Sequence, residues 1–128
     1  MKHGLPNNFR HVRLELAREP GHPAGDSLHG YDILMPLDAS DLIDGETATK
    51  YRDRCRVRRF RDSEKDVIGK LLRGPGGRYR IDYDDARGDD DEEGFRFGEE
   101  KFVVGEYVSI LEDDGDMHTF IVMSVDEL

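Results

Sequence analysis

Apolar and polar residues alternate along several short stretches of this chain, a pattern typical of half-buried β-strands. In the segment from Phe9 to Ala17, Val12, Leu14 and Leu16 fall on one face and charged residues on the other. The same alternation predicts a second strand at Tyr31, Ile33, Met35 and Leu37. The residues between the two strands, 18–30, include two prolines and three glycines, so we expect a loop there.

A single short helix is predicted from Asp44 to Cys55. Asp44 is a candidate N-cap, and Ala48, Tyr51 and Cys55 share one helical face. We expect Cys55 to be buried on that face, since free cysteines are among the most buried residues.

The segment from Arg56 to Arg61 predicts a strand with an irregularity. Val57 and Phe60 are three residues apart, so strict alternation places them on opposite faces. Either one of them points outward, or a β-bulge lies near Arg58 or Arg59.

Two hairpins follow around glycine-containing turns. One joins 67–73 to 78–82, the other joins 104–111 to 117–125, and a short strand is expected around Phe95 and Phe97. Residues 84–94 hold seven acidic residues and one arginine, which predicts a mobile loop. With about seven or eight strands and one helix, the chain is expected to form one mainly β domain over residues 1–128, a small barrel-like antiparallel sheet that leaves few exposed edges.

Composition narrows the classes of protein further. The 128 residues carry a net charge of −10 and include one cysteine, which excludes an internal disulfide. No apolar run approaches the length of a membrane helix, and the N-terminal residues lack a secretory pattern, so we expect a cytoplasmic protein without a membrane partner. Charge is divided unevenly: residues 1–83 carry +3 and residues 84–128 carry −13.

Three segments resemble a group of conserved hypothetical bacterial proteins over most of the chain: CRVRRF, GGRYRIDYD and GFRFGEEKFVVGEYVSILEDDGDMHTFIVMSV. The resemblance implies a cytoplasmic bacterial protein. It brings no activity, cofactor or catalytic residue with it.

A cluster of arginines is the most distinctive chemical feature of the sequence. Guanidinium groups suit phosphate and carboxylate, so the cluster is a candidate site for an acidic protein or a phosphorylated ligand. The alternative, which the acidic excess of the chain favours, is internal pairing with acids on neighbouring strands. A nucleic-acid or phosphate binder that uses the patch Arg52–Arg61 is a further hypothesis, although the large acidic excess argues against nucleic acid as a partner. Self-association into a homo-oligomer also stays open. The candidate residues are Arg54, Arg56, Arg58, Arg59, Arg61, Arg78 and Arg80.

An enzyme or metal protein is the alternative hypothesis, with its site on the loops that carry Asp26, Ser27, His29 and residues 84–93. Gly25 to Leu28 spells the GDSL block of an esterase family, but no matching base or oxyanion block accompanies it. The histidines lack metal-binding spacing, and the acidic run lacks the spacing of a calcium loop. We therefore predict no catalytic, cofactor or metal residue, and favour a non-catalytic binding or interaction module.

Overall fold

The computed structural model describes residues 4–84 and 92–128, and these form a closed antiparallel barrel of eight strands. Each strand pairs with the next in the sequence, and the last strand pairs with the first. This confirms the predicted mainly β fold with one short helix. The elements are β1 (Phe9–Leu16), β2 (Asp26–Pro36), α1 (Gly45–Lys50), β3 (Arg56–Phe60), β4 (Val67–Arg73), β5 (Tyr79–Tyr83), β6 (Glu92–Phe95), β7 (Tyr107–Leu111) and β8 (Met117–Glu127).

The barrel interior follows directly from the alternation in the sequence. In β1, Val12, Leu14 and Leu16 point inward and are buried, as predicted. Ile81 in β5 and Ile110 in β7 also point inward and are buried. Because the sheet closes on itself, every strand in the described residues has two neighbours.

One end of the barrel is closed by apolar side chains from the helix and the loops. The buried residues at this end come from four different segments: Leu5, Leu37, Ile43, Ala48, Phe97 and Phe102. Phe97 and Phe102 pack edge to face with their ring centroids 5.2 Å apart.

The helix begins as predicted, with the Asp44 side chain accepting a hydrogen bond from the Thr47 amide at 3.2 Å. It ends at Lys50, earlier than expected, and a 3₁₀ turn over Arg52–Arg54 completes the segment. Cys55 is buried as expected, and burial raises the pKa of its thiol to about 12. None of the helices in the described ranges is long and apolar enough to cross a membrane.

β3 contains no bulge, because its residues pair in regular register with both neighbouring strands. The alternation holds instead: Val57 and Arg59 point inward, while Phe60 lies on the outer face. The Arg13 guanidinium stacks 4.3 Å from the centre of the Phe60 ring and shields it from solvent.

Some element boundaries differ from the sequence prediction. β2 begins at Asp26, within the predicted loop, and β7 begins at Tyr107 rather than Val104. The acidic segment 84–94 was expected to be one loop, but its residues from Glu92 onward form β6, and Glu92 is buried. Residues 85–91 lie outside the described residues.

Candidate functional site

Charged and phenolic side chains, rather than apolar ones, fill the second end of the barrel. They occupy inward positions that the alternation of each strand defines: Arg59 follows Val57 by two residues, and Glu112 follows Ile110 by two. We call this group the mouth cluster, and its members are His29, Tyr31, Arg59, Arg61, Tyr83, Glu92 and Glu112.

Glu92 lies at the centre of the mouth cluster, with none of its side chain exposed to solvent. Its Oε2 accepts hydrogen bonds from Arg59 Nη1 and Arg61 Nη2, both at 3.2 Å, and from the Asp113 amide at 3.1 Å. Its Oε1 lies within hydrogen-bonding distance of the Tyr31 and Tyr83 hydroxyls. Burial raises the pKa of Glu92, and the hydrogen bonds and guanidinium groups only partly oppose that effect.

Glu112 lies beside Glu92 and is also buried, but its surroundings lower the pKa of its carboxyl group instead of raising it. Its Oε2 lies 3.1 Å from His29 Nε2 and 3.2 Å from Arg61 Nη2, and the Tyr31 hydroxyl contacts the same atom. Burial alone would raise the pKa of Glu112. The hydrogen bonds from His29 and Tyr31, together with the charges of His29 and Arg61, lower the pKa overall.

His118 lies at the rim of this end, between two carboxylates. Its Nδ1 is 3.0 Å from Glu19 Oε1 and its Nε2 is 2.9 Å from Asp114 Oδ2, while Glu112 Oε1 lies 3.6 Å away. Burial acts to lower its pKa, but these carboxylates raise the pKa of His118 to about 9. The imidazole is therefore positively charged at neutral pH.

A cavity of about 350 Å³ opens above Glu112. Its wall is rich in acidic groups and histidines: His22, Asp26, His29, Arg61, Asp62, Glu64, Glu112, Asp113, Asp114 and His118. Arg61 Nε is buried and has no hydrogen-bond partner within residues 4–84 and 92–128. A larger groove of about 790 Å³ runs along the outer surface past Leu28, Tyr107 and Met123, and none of the mouth cluster lines it.

Four of the seven candidate arginines form ion pairs within the chain, which is the interpretation that the sequence favoured. Arg59 and Arg61 bind the mouth-cluster carboxylates and Asp113. On the outer surface, Arg58 pairs with Asp32 and Asp66, and Arg56 pairs with Asp84.

The remaining three candidate arginines lie elsewhere on the surface. Arg54 belongs to the 3₁₀ turn and Arg80 to β5, and both have interaction partners. Arg78 is exposed beside the Pro75–Gly77 turn, far along the sheet from the mouth cluster. The candidate residues are thus spread over the barrel and do not form one continuous basic face.

The barrel brings together part of the loop site that the enzyme or metal-protein hypothesis requires. Asp26 and His29 line the cavity, and Glu92 lies below it, all at the same end of the barrel. Ser27 is exposed and has no histidine partner among the described residues, and Asp26 Oδ1 accepts a hydrogen bond from the Leu28 amide at 2.9 Å. The GDSL block therefore forms the start of β2, without the base that a serine nucleophile requires.

Sequence reasoning missed Tyr31, Glu112 and His118 as site residues, and it included Glu92 only as part of the acidic segment 84–93. Glu112 continues the inward series of Val108 and Ile110, so a charged residue at an inward position was the signal that could have identified it. No protein-family model, curated protein or solved structure matches the chain.

Proposed function

We propose that the protein is a binding module and that its ligand is a small cation, a divalent metal ion or an organic amine, held at the open end of the barrel. The observation that carries this proposal is the composition of the cavity wall. Six carboxylates surround about 350 Å³ of space together with His22 and His29, and they outnumber the positive charges of Arg61 and His118 in the same wall. Carboxylate and imidazole are the groups that bind metal ions and amines.

The cost of the mouth cluster supports a functional interpretation. Burying a charged group destabilises the folded state by several kcal/mol per ion. Apolar side chains of similar volume at the same positions often give a protein that is at least as stable. The closed end shows that this chain fills a barrel end with apolar side chains. Perturbed, buried ionisable groups beside a cavity are typical of functional sites.

The Arg-rich surface is less favoured as the binding site. Arg56, Arg58, Arg59 and Arg61 each already pair with a carboxylate, so an anionic partner would have to displace an internal acid. Binding of an acidic protein or phosphorylated ligand at these arginines stays a prediction.

Isothermal titration calorimetry of the whole chain tests the proposal. Zn²⁺, Mn²⁺, Mg²⁺ and spermidine are titrated separately at low salt, which distinguishes a metal ligand from an amine. The double variant Asp26→Asn, Asp114→Asn removes two charges from the cavity wall, and we expect at least a tenfold loss of affinity, about 1.4 kcal/mol.

Glu99→Gln, Glu100→Gln is the matched control, because it removes two charges from the loop after β6, away from the mouth cavity. Its affinity should equal that of the unaltered chain. Absence of binding by all four probes, or equal losses in the two double variants, would overturn the proposal.

A further inference from the structure

The Tyr31 hydroxyl contacts two carboxylates at once. Its oxygen lies 2.8 Å from Glu92 Oε1 and is also within hydrogen-bonding distance of Glu112 Oε2. A phenol has one hydrogen to donate, so it satisfies one of these oxygens only. The second contact needs another hydrogen, because two oxygens without a hydrogen between them repel at this distance.

We infer that Glu92, Tyr31 and Glu112 form a buried proton-binding site that holds one additional, shared proton at neutral pH. The proton lies on Glu92 Oε1 and is donated to the Tyr31 oxygen, while Tyr31 donates its own hydrogen to Glu112 Oε2. Each oxygen–oxygen contact then contains one hydrogen. When two neighbouring carboxylates share one proton, the repulsion between their like charges is avoided.

The donors around each carboxylate place the proton on Glu92. Glu112 Oε2 already faces His29 Nε2 and Arg61 Nη2, so that oxygen is an acceptor. In Glu92, the three nitrogen donors all approach Oε2, and Oε1 meets only hydroxyl groups. A hydrogen on Oε1 therefore meets no opposing N–H group. The raised pKa of Glu92 and the lowered pKa of Glu112 agree with this assignment.

The charges that face the pair also balance when one proton is added. Arg59 and Arg61 supply two positive charges against three carboxylates, those of Glu92, Glu112 and Asp113. Protonating one carboxylate makes these five groups neutral. The wider set, which adds His29 and His118 against Glu19 and Asp114, then also carries no net charge when both imidazoles are charged. At the rim, His118 contacts Glu112 as well but is itself flanked by Glu19 and Asp114. Tyr83 contributes a neutral hydroxyl, and His29 contributes its Nε2 to Glu112.

The site makes the charge beneath the cavity depend on one proton. Its loss adds one negative charge next to Glu112, which forms part of the cavity wall. The contacts that support the shared proton lie within the chain itself. A failure of cation binding would therefore leave the shared proton unaffected.

Carbon-13 NMR of the whole chain, labelled at the glutamate carboxyl groups, tests the inference without any variant. At pH 7 we expect one glutamate carboxyl resonance at the position of a protonated acid, and the others at the position of a carboxylate. A spectrum in which every glutamate is ionised would overturn the inference.

Infrared difference spectra locate the proton. We expect the carbonyl band of a protonated acid in the unaltered chain, its loss in Glu92→Gln, and a shift of its frequency in Tyr31→Phe, which removes the bridging hydroxyl. Tyr107→Phe, a change at an exposed tyrosine, should leave the band unchanged. A band that persists in Glu92→Gln and disappears in Glu112→Gln would refute the assignment to Glu92. If Glu92→Gln does not fold, Tyr31→Phe and the labelled spectrum still decide whether the shared proton exists.

Discussion

At the scale of single residues, the direction in which a side chain points decides what its charge does. Arg56 and Arg59 lie on the same strand, three residues apart. Arg56 points outward to Asp84, while Arg59 points into the barrel and binds Glu92 with 10% of its side chain exposed. The same residue type therefore contributes to a solvated pair in one case and to a buried network in the other.

This difference predicts unequal losses of stability from matched substitutions. Arg59→Met leaves the mouth cluster and Asp113 with one guanidinium group in place of two, so one negative charge loses its partner, and we expect the free energy of unfolding to fall by about 3 kcal/mol. Arg56→Met breaks an exposed pair and should cost less than about 1 kcal/mol. Urea denaturation of both variants measures the two losses. Equal values would contradict the assignment of Arg59 to a buried network.

His118 predicts a loss of stability as the solution becomes alkaline. Its pKa is raised from an ordinary value of 6.5 to about 9 by Glu19, Asp114 and Glu112. A raised folded-state pKa gives stability that is fully present below the unfolded pKa and is lost as pH rises through the folded value. The free energy of unfolding should therefore fall between pH about 6.5 and about 9.

Urea denaturation across this pH range measures the slope, and His118→Gln should flatten it. His11→Gln, which removes a histidine from the outer surface, is the control and should keep the slope of the unaltered chain. A slope that survives in His118→Gln would show that another group titrates there.

At the scale of elements, the strands could be predicted wherever alternation and turn residues agreed. β1 and the hairpin of β4 and β5 are the clearest cases, since both show alternating faces and the hairpin carries a glycine-rich turn. The position of β6 was predicted only in part: a short strand is expected at Phe95 and Phe97, whereas β6 spans Glu92–Phe95. Its start could not be predicted, because the acidic residues are typical of a solvated loop and their stability comes from partners distant in the sequence. Glu92 binds Arg59 and Arg61, 33 and 31 residues away.

The candidate site was less predictable than the fold for the same reason. A single sequence shows that Arg59 and Arg61 are candidates for pairing, but their partners are set by the register of strands that are not consecutive. The mouth cluster brings together side chains from β2, β3, β5 and β6 with those of the loops, and only the closed sheet places them at one end.

Close packing between β1 and β2 predicts that Gly30 cannot be replaced. A Cβ atom at Gly30 would lie 1.9 Å from the Leu14 carbonyl oxygen and 2.7 Å from the Phe60 ring. Gly30→Ala should lower the free energy of unfolding by about 3 kcal/mol or more, because backbone has to move to admit it.

Gly74→Ala is the matched control for this substitution. A Cβ atom there meets one atom, the Arg78 carbonyl oxygen, at 3.7 Å, and the backbone is extended. We expect a change within about 0.5 kcal/mol in thermal or urea unfolding. A well-tolerated Gly30→Ala would show that the two strands are not held this closely.

At the scale of the whole molecule, folding brings a weakly basic part of the chain against a strongly acidic one. Residues 1–83 carry +3 and residues 84–128 carry −13. The contacts between them include the buried pairs of Arg59 with Glu92 and of Arg61 with Glu112. Because these arginines are paired inside the barrel, acidic groups dominate the surface and repel one another. The buried pairs, by contrast, are shielded from ions in the solvent.

This arrangement predicts how stability responds to salt. Raising sodium chloride from about 0.05 M to about 0.5 M shortens the range of surface repulsion, whereas ion pairs buried in the mouth cluster are screened much less. The exposed pairs that salt does weaken, such as Arg56 with Asp84, each contribute little. We therefore expect the melting temperature to rise with salt, and to rise by a similar amount in Arg56→Met. Scanning calorimetry over this salt range makes the measurement. A melting temperature that falls with salt would mean that solvent-exposed ion pairs, rather than the buried network, dominate the electrostatic stability of the barrel.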